Sequence, residues 1–384
     1  MDKPGIALAD SKKSEEFLGR IIMMGIYLMT VNYLIYNFFQ EDKFKDVVRI
    51  VAVGIIIAVG LAHCARNGVK LSVYQITLIY IAVAQLFLIR DFDINFLAIV
   101  LCAMFSKVEY GAYIKGLKNF TIVLLVVVIL SLSFGWVENV EYISTTERLR
   151  RTLGFENVNA GSLFFFSANL IYLLNCKKIK FTNFLFSVIY SVIIYKLTDT
   201  RTSIVGLAVF FVSLFLTKIL NNKKRLAGFV FFMIITVLYC TVFLWDWIYV
   251  NFPDLDEFFS SRLHLFSMAV DSATLKHFLI GGIDFSTYEL FVDNFYILLL
   301  FQNGIFIYIT TYLFAIFCIR KLITHGLYKE VALIISLLAV GLVESSLIRP
   351  EVTCVMVAWR CILDTDYVIE SSNSYQEIKG VETK

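Results

Sequence analysis

Apolar residues run along this chain in long blocks broken by short polar stretches. Most blocks hold roughly 17–25 residues, the length a helix needs to cross a bilayer. Read this way, the pattern predicts about twelve spans, with approximate limits 18–39, 47–63, 71–89, 92–107, 119–137, 159–175, 181–197, 203–220, 226–249, 293–319, 329–347 and 351–364. The expected fold class is an all-α polytopic membrane protein of about twelve transmembrane helices, with a large extracytoplasmic loop between the ninth and tenth. Residues 1–17 form an N-tail, 18–364 a single transmembrane domain, and 365–384 a polar tail expected to be solvated.

Charge sets the orientation. Lys and Arg cluster in the N-tail (Lys3, Lys12, Lys13, Arg20) and after the second (Arg66, Lys70), fourth (Lys107, Lys115, Lys118) and sixth spans (Lys177, Lys178, Lys180). They recur after the eighth (Lys218, Lys223, Lys224, Arg225) and tenth (Arg320, Lys321, Lys329). With twelve crossings every cluster falls on one side, which the positive-inside rule makes cytoplasmic, together with both termini. Trp245 and Trp247 mark the outer interface before the longest loop, 250–292. That loop is rich in Phe and Leu, so it is expected to fold. Ser260–Ser261 would cap a short helix SRLHLFSMAVDSA, and Gly281–Gly282 would turn the chain back.

Composition agrees with a membrane protein and removes other classes. The chain is 59% hydrophobic, 16% aromatic and 17% charged over 384 residues. A net charge of +3 is too small to suggest nucleic acid. Seven scattered cysteines form no CxxC pair, so neither a disulfide framework nor a zinc site is indicated. The first apolar run lacks a small-residue cleavage site and reads as a retained helix. No metal set, Walker loop or dinucleotide fingerprint is present, and no DxD-like acidic pair lies near a plausible catalytic loop, which argues against a cytoplasmic sugar-nucleotide enzyme.

Against this background five arginines stand out. Arg150, Arg151, Arg201, Arg262 and Arg349 all fall on the side that topology disfavours. Guanidinium groups kept there suit an anion, most often phosphate. Arg150–Arg151 and Arg201 each precede a predicted helix start, where the helix dipole adds positive potential. Asn157, Asn159 and Gly161 would begin the first of these helices. The plainer alternatives are a solvated loop with Arg148, Arg150 and Arg151 paired to Glu147 and Glu156, and an interfacial Arg201 beside Asp199. On a helix Arg262 aligns with Phe266, whereas His264 aligns with Met268 and Asp271, so the two diverge. Asp293 and Asn294 open the tenth span, with Gln302 and Asn303 deeper in it, and together they imply a polar cavity. Asp293 as a mere helix cap is the alternative. Glu344 lies near the outer end of the eleventh span, either paired to Arg349 or available as a catalytic carboxylate.

These elements, in this order, resemble the Wzy-type polysaccharide polymerases and O-antigen ligases. RRTLGFENVNAG (150–161) looks like that superfamily's arginine followed by an FxNxNxxG-like helix start. TDTRTSIVG (198–206) looks like its TxSRT element, SSRLHLF (260–266) like its S-x-R element, and VDNFYILLLFQNGI (292–305) like its N-x-Y-L…G-I element. The resemblance covers residues 140–350, and the first four spans match only in hydropathy. It implies a metal-independent, cofactor-free glycosyltransferase in the bacterial cytoplasmic membrane. Such an enzyme joins undecaprenyl-diphosphate-linked oligosaccharide repeat units at the outer leaflet, building a capsule, exopolysaccharide or O-antigen. The implied partners are lipid-linked donor and acceptor, membrane lipid, a chain-length regulator and a flippase. By similarity Arg150 or Arg151, Arg201 and Arg262 hold a lipid diphosphate. Ligases of the superfamily carry a histidine just before the asparagine of the late element; Asp293 stands there instead, which favours a polymerase over a ligase. Asp293, Glu344 and His264, in that order, are the candidates to accept the acceptor hydroxyl's proton. The rival is a flippase or other transporter, a class that tends to show internal repeats and broken helices. No span here contains proline and no repeat is evident.

Overall fold

A computed structural model describes Phe17, Gly19–Val31, scattered positions between 47 and 58, and residues 108–372 except 144–148, 156, 260, 261, 289, 346, 348, 350 and 351. The third and fourth predicted spans, and most of the second, lie outside the described residues. Helix dominates, and six described helices are long and apolar enough to cross a membrane.

Helix α1 is Gly19–Val31, within the first predicted span. Helix α2, Tyr110–Ser133, starts well before the predicted residue 119. Lys115 and Lys118 disguise its first turns, yet Tyr110, Tyr113, Ile114 and Leu117 are buried at helical spacing while Lys115 faces outward. Helices α3 (Val158–Asn175), α4 (Phe181–Thr198) and α5 (Thr202–Ile219) match the predicted sixth, seventh and eighth spans within one residue. The ninth divides into α6 (Lys224–Cys240), a 3-10 turn at Thr241–Phe243 and α7 (Trp245–Asn251). The helix expected near SRLHLFSMAVDSA is present as α9 (Arg262–Ser272), with short helices α8 (Asp254–Phe258) and α10 (Leu275–Leu279) on either side. Helices α11 (Phe295–Thr324), α12 (Tyr328–Val340) and α13 (Thr353–Leu363) follow.

The chain divides into two compact units, although its sequence offers no linker at which to cut it. One comprises residues 1–70, 98–207 and 350–384; the other comprises 71–97 and 208–349.

In the first unit α2, α3 and α4 pack in sequence order, and α13 lies against α3 and α2. All of α13 is buried. Ser167 of α3 holds its start, accepting from the Cys354 N–H at 2.9 Å and bonding Thr353 Oγ1 at 2.9 Å. The segment after α2 was read as loop but contains a hairpin, β1 (Glu141–Ile143) antiparallel to β2 (Leu149–Arg151). Its return turn packs Leu153 and Phe155 into a core with Leu124, Val128, Phe164, Phe165 and Ile194. Gly161 permits that approach, since a Cβ there would sit 2.9 Å from the Phe155 ring and 3.0 Å from the Thr152 carbonyl oxygen. The tail expected to be solvated from 365 onward is instead helical and packed through Ser372. Val368, Ile369, Ser371 and Ser372 are buried, and Ser371 Oγ accepts from the Tyr110 N–H at 3.3 Å. Two apolar residues inside a polar-looking stretch suffice to dock it.

In the second unit α11 packs against α6 and α12, and α9 lies on α7. Trp245 is buried against Phe266, with ring centroids 5.2 Å apart, and Ser267 Oγ donates to Asp246 at 2.9 Å. Helix α11 is broken at Gly304, whose φ of 81° and ψ of 165° are non-helical. The expectation of unbroken spans therefore fails here, and proline was the wrong residue to look for. The break frees carbonyls of the preceding turn: Gly282 N–H donates to Gln302 O at 2.9 Å, and Ile283 N–H to Phe301 O at 3.3 Å. Gly281 and Gly304 meet so closely that a Cβ on Gly281 would lie 2.4 Å from the Gln302 oxygen. Position matters as much as presence. The residues from Ile305 to Thr324 already reach about 30 Å at 1.5 Å per residue, a full hydrocarbon thickness. The break therefore leaves on its C-terminal side a stretch long enough to cross a bilayer by itself.

Candidate ion cluster at the start of α11

The second unit gathers four of the charged residues singled out in the sequence. Asn294 is the cap of α11: its Oδ1 accepts from the N–H groups of Tyr296 and Ile297 at 2.9 and 3.0 Å, and its Nδ2 donates to Leu342 O at 2.7 Å. Asp293 is therefore not the cap, and its carboxylate turns to Arg262 Nη2 at 3.8 Å and Arg349 Nη2 at 4.0 Å. Arg262, the first residue of α9, donates through Nη1 to the Val343 carbonyl and to Glu344 Oε1, the latter at 3.3 Å. Helix α12 ends at Val340, so Glu344 lies beyond it, in the following turn. The Phe295 N–H donates to Gly341 O at 2.8 Å, which pins that turn to the start of α11.

The two carboxylates differ in setting. The Glu344 side chain is 5% exposed and that of Asp293 is 38% exposed. Burial pushes the Glu344 carboxyl above its ordinary range, Arg262 pulls it back, Asp293 adds to the rise and Arg349 opposes it. Glu344 Oε1 lies 3.3 Å from Arg262 Nη1, and Arg349, its expected partner, also favours its charged form. His264 does not join the group. It is exposed, its ring lies 5.2 Å from that of Tyr249, and its backbone N–H donates to Asp256 Oδ1 at 3.1 Å. The predicted divergence of Arg262 and His264 thus holds, and His264 stands apart from this cluster. Asn303 is 2% exposed, with Gln302 beside it at the helix break. These two amides stand at the break, and Asn303 Nδ2 is buried with no hydrogen-bond partner among the described residues.

The remaining arginines belong to the first unit. Arg150 and Arg151 are neighbours on β2, where successive residues face opposite sides of the strand. Arg151 Nε donates to Glu141 Oε1 across the hairpin at 2.9 Å, with both side chains largely open to solvent. The alternative pairing with Glu147 and Glu156 lies outside the described residues. The expected helix start is present: Asn157 caps α3, its Oδ1 accepting from Ala160 N–H at 2.8 Å. Arg201 stands immediately before α5, after a left-handed Asp199 that ends α4, and its carbonyl accepts from Val205 N–H at 3.0 Å.

One buried cation escaped the sequence reading. Arg360 is 0% exposed, inside α13. The signal was available, since an ionisable residue within an apolar span is a functional candidate in its own right. Comparison with known proteins returns no matching family model, no similar curated protein and no similar solved structure.

Proposed function

We propose that the protein is a polymerase that joins lipid-diphosphate-linked oligosaccharide repeat units at the outer face of a bacterial cytoplasmic membrane. The observation that carries this reading is the cluster of Arg262, Arg349, Asp293 and Glu344 on a capped helix end. It offers guanidinium for phosphate and a half-exposed carboxylate for a hydroxyl. In the proposed step the acceptor hydroxyl oxygen attacks the anomeric carbon of the donor sugar. The anomeric carbon–oxygen bond to phosphate breaks, and the diphosphate lipid leaves with the electron pair. Asp293, the more open carboxylate, takes the hydroxyl proton. Glu344 is a positioning residue that holds Arg262. Guanidinium groups stabilise the charge growing on the leaving phosphate, worth several kcal/mol in a preorganised site (roughly 3–4 per donor). The reaction handles two lipid diphosphates, donor and acceptor. Arg150 or Arg151, Arg201 and Arg262 are the residues assigned to phosphate by the resemblance.

A transporter of the same lipid-linked glycan is the second reading, favoured by the break at Gly304. The full span's length of helix that follows the break, and its closure by Gly281–Gly282, support a fixed platform better than a midplane gate. A cell test separates the two. Cells carrying Arg201→Ala or Arg262→Ala, at normal protein level, should lose polymer and keep single repeat units on carrier lipid facing outward. Full-length polymer in both variants would sink the assignment, and inward-facing units would favour transport.

A further inference from the structure

Arg360 lies in the last turn of α13 with no exposed surface. Its guanidinium carbon is 4.3 Å from the centroid of the Tyr113 ring and 5.6 Å from that of Tyr367. Nη2 donates to the carbonyl of Val108, two residues before the first helical residue of α2. The guanidinium is thereby aimed at the N-terminal end of a 24-residue helix. Its Nε and Nη1 are buried and have no hydrogen-bond partner among the described residues. Leaving charged donors without an acceptor is expensive, so a folded chain that keeps them presents them to something.

The end of α2 adds to the same field. Its cap position, Glu109, makes no side-chain capping bond, so the positive end of the helix dipole is not closed there by a side chain. Lys118 lies about two turns further along the helix, away from this end. One group opposes an anion: the Oε1 of Glu109 is itself buried without a hydrogen-bond partner among the described residues. That carboxylate competes for the position an incoming anion would take.

We propose that Arg360 and the N-terminus of α2 form a phosphate-binding site, filled by the headgroup of an anionic phospholipid. By the Lys and Arg pattern this end of α2 faces the cytoplasm, so the lipid belongs to the inner leaflet. The tyrosines hold the guanidinium plane, the helix end supplies dipole, and Glu109 sets the threshold for entry. The site does not depend on the polymerase reading.

Native mass spectrometry of the purified full-length protein in neutral detergent tests this. Phosphatidylglycerol is titrated against a diacylglycerol that lacks phosphate, and inorganic phosphate is added in a third arm. Phosphatidylglycerol should be retained and diacylglycerol should not. Arg360→Gln should weaken retention roughly tenfold, the size of one lost charge-assisted contact. Glu109→Gln should strengthen it, and Lys118→Gln should change it little. Equal retention of the two lipids, or equal losses in Arg360→Gln and Lys118→Gln, would overturn the proposal. Arg360-dependent displacement of lipid by inorganic phosphate would uphold the site and make free phosphate a ligand. If Arg360→Gln fails to fold, Glu109→Gln decides the matter, and no gain in retention there refutes the site.

Discussion

The Arg262–Glu344 contact makes a quantitative demand. At 3.3 Å, with an effective dielectric near 20, the Coulomb attraction is about 5 kcal/mol. Glu344 is almost fully buried, so removing its cation leaves a carboxylate with little water, and breaking such pairs costs about 3–5 kcal/mol. The Arg262 side chain is 20% exposed, which trims the expected loss for Arg262→Ala toward about 3 kcal/mol. Glu344→Gln should cost less, because the amide oxygen still accepts from the guanidinium. In the Arg262→Ala background Glu344→Gln should restore stability, because it removes the stranded charge. The double mutant should therefore be more stable than the sum of the single changes by about 2 kcal/mol. Unfolding of the four proteins in mixed micelles, followed by tryptophan fluorescence, measures this. The Val343 contact is lost in both Arg262→Ala proteins and cancels from the cycle. Additivity within about 0.5 kcal/mol would show that the two side chains do not act as a pair, and the argument would fail.

Other consequences follow from the same geometry. Glu344 binds its proton more tightly in the folded protein than in the unfolded chain, because burial raises it from its ordinary 4.5. Stability should fall as pH rises from that ordinary value through the raised one, and stay level on either side. Glu344→Gln should flatten this dependence in a pH series of unfolding midpoints; an unchanged slope would point to another group. Gly304→Ala should cost about 1–3 kcal/mol from backbone strain alone. Its Cβ would also lie 2.7 Å from the Ile280 carbonyl, whereas Gly228→Ala, with nothing within 4 Å, should be harmless. Asn294→Ala should lose about 1–2 kcal/mol through its cap. It should also loosen the turn at Leu342, seen as faster amide exchange across residues 341–344.

Much of the fold could be read from hydropathy because lipid allows few alternatives. Helices α3, α4 and α5 begin and end where apolar blocks do. Misreadings occurred where polarity and burial part company. Lys115 and Lys118 hid two turns of α2 that bury their other face. Val368 and Ile369 were too few to reveal a packed segment inside a polar tail. The break in α11 is a glycine conformation, and nothing distinguishes Gly304 from a tolerated helical glycine until Gly281 is seen against it. At the ion cluster, the residues were identifiable individually: Arg262, Asp293, Glu344 and Arg349 all break the topological rule or stand at a span end. Their pairing was not, because it depends on Asn294 taking the cap and so releasing Asp293. The hairpin that separates Arg150 from Arg151 was equally hidden, since three-residue strands carry too little alternation to detect.

The central claim is that this chain makes a glycosidic bond using a lipid diphosphate donor. The direct measurement uses purified protein in proteoliposomes, with undecaprenyl-diphosphate-linked repeat units and a metal chelator present. The account predicts a ladder of lengthening glycans and matching release of undecaprenyl diphosphate, both lost in Asp293→Asn. Movement of intact lipid-linked units across the bilayer, with no new glycan and no released diphosphate, would contradict it.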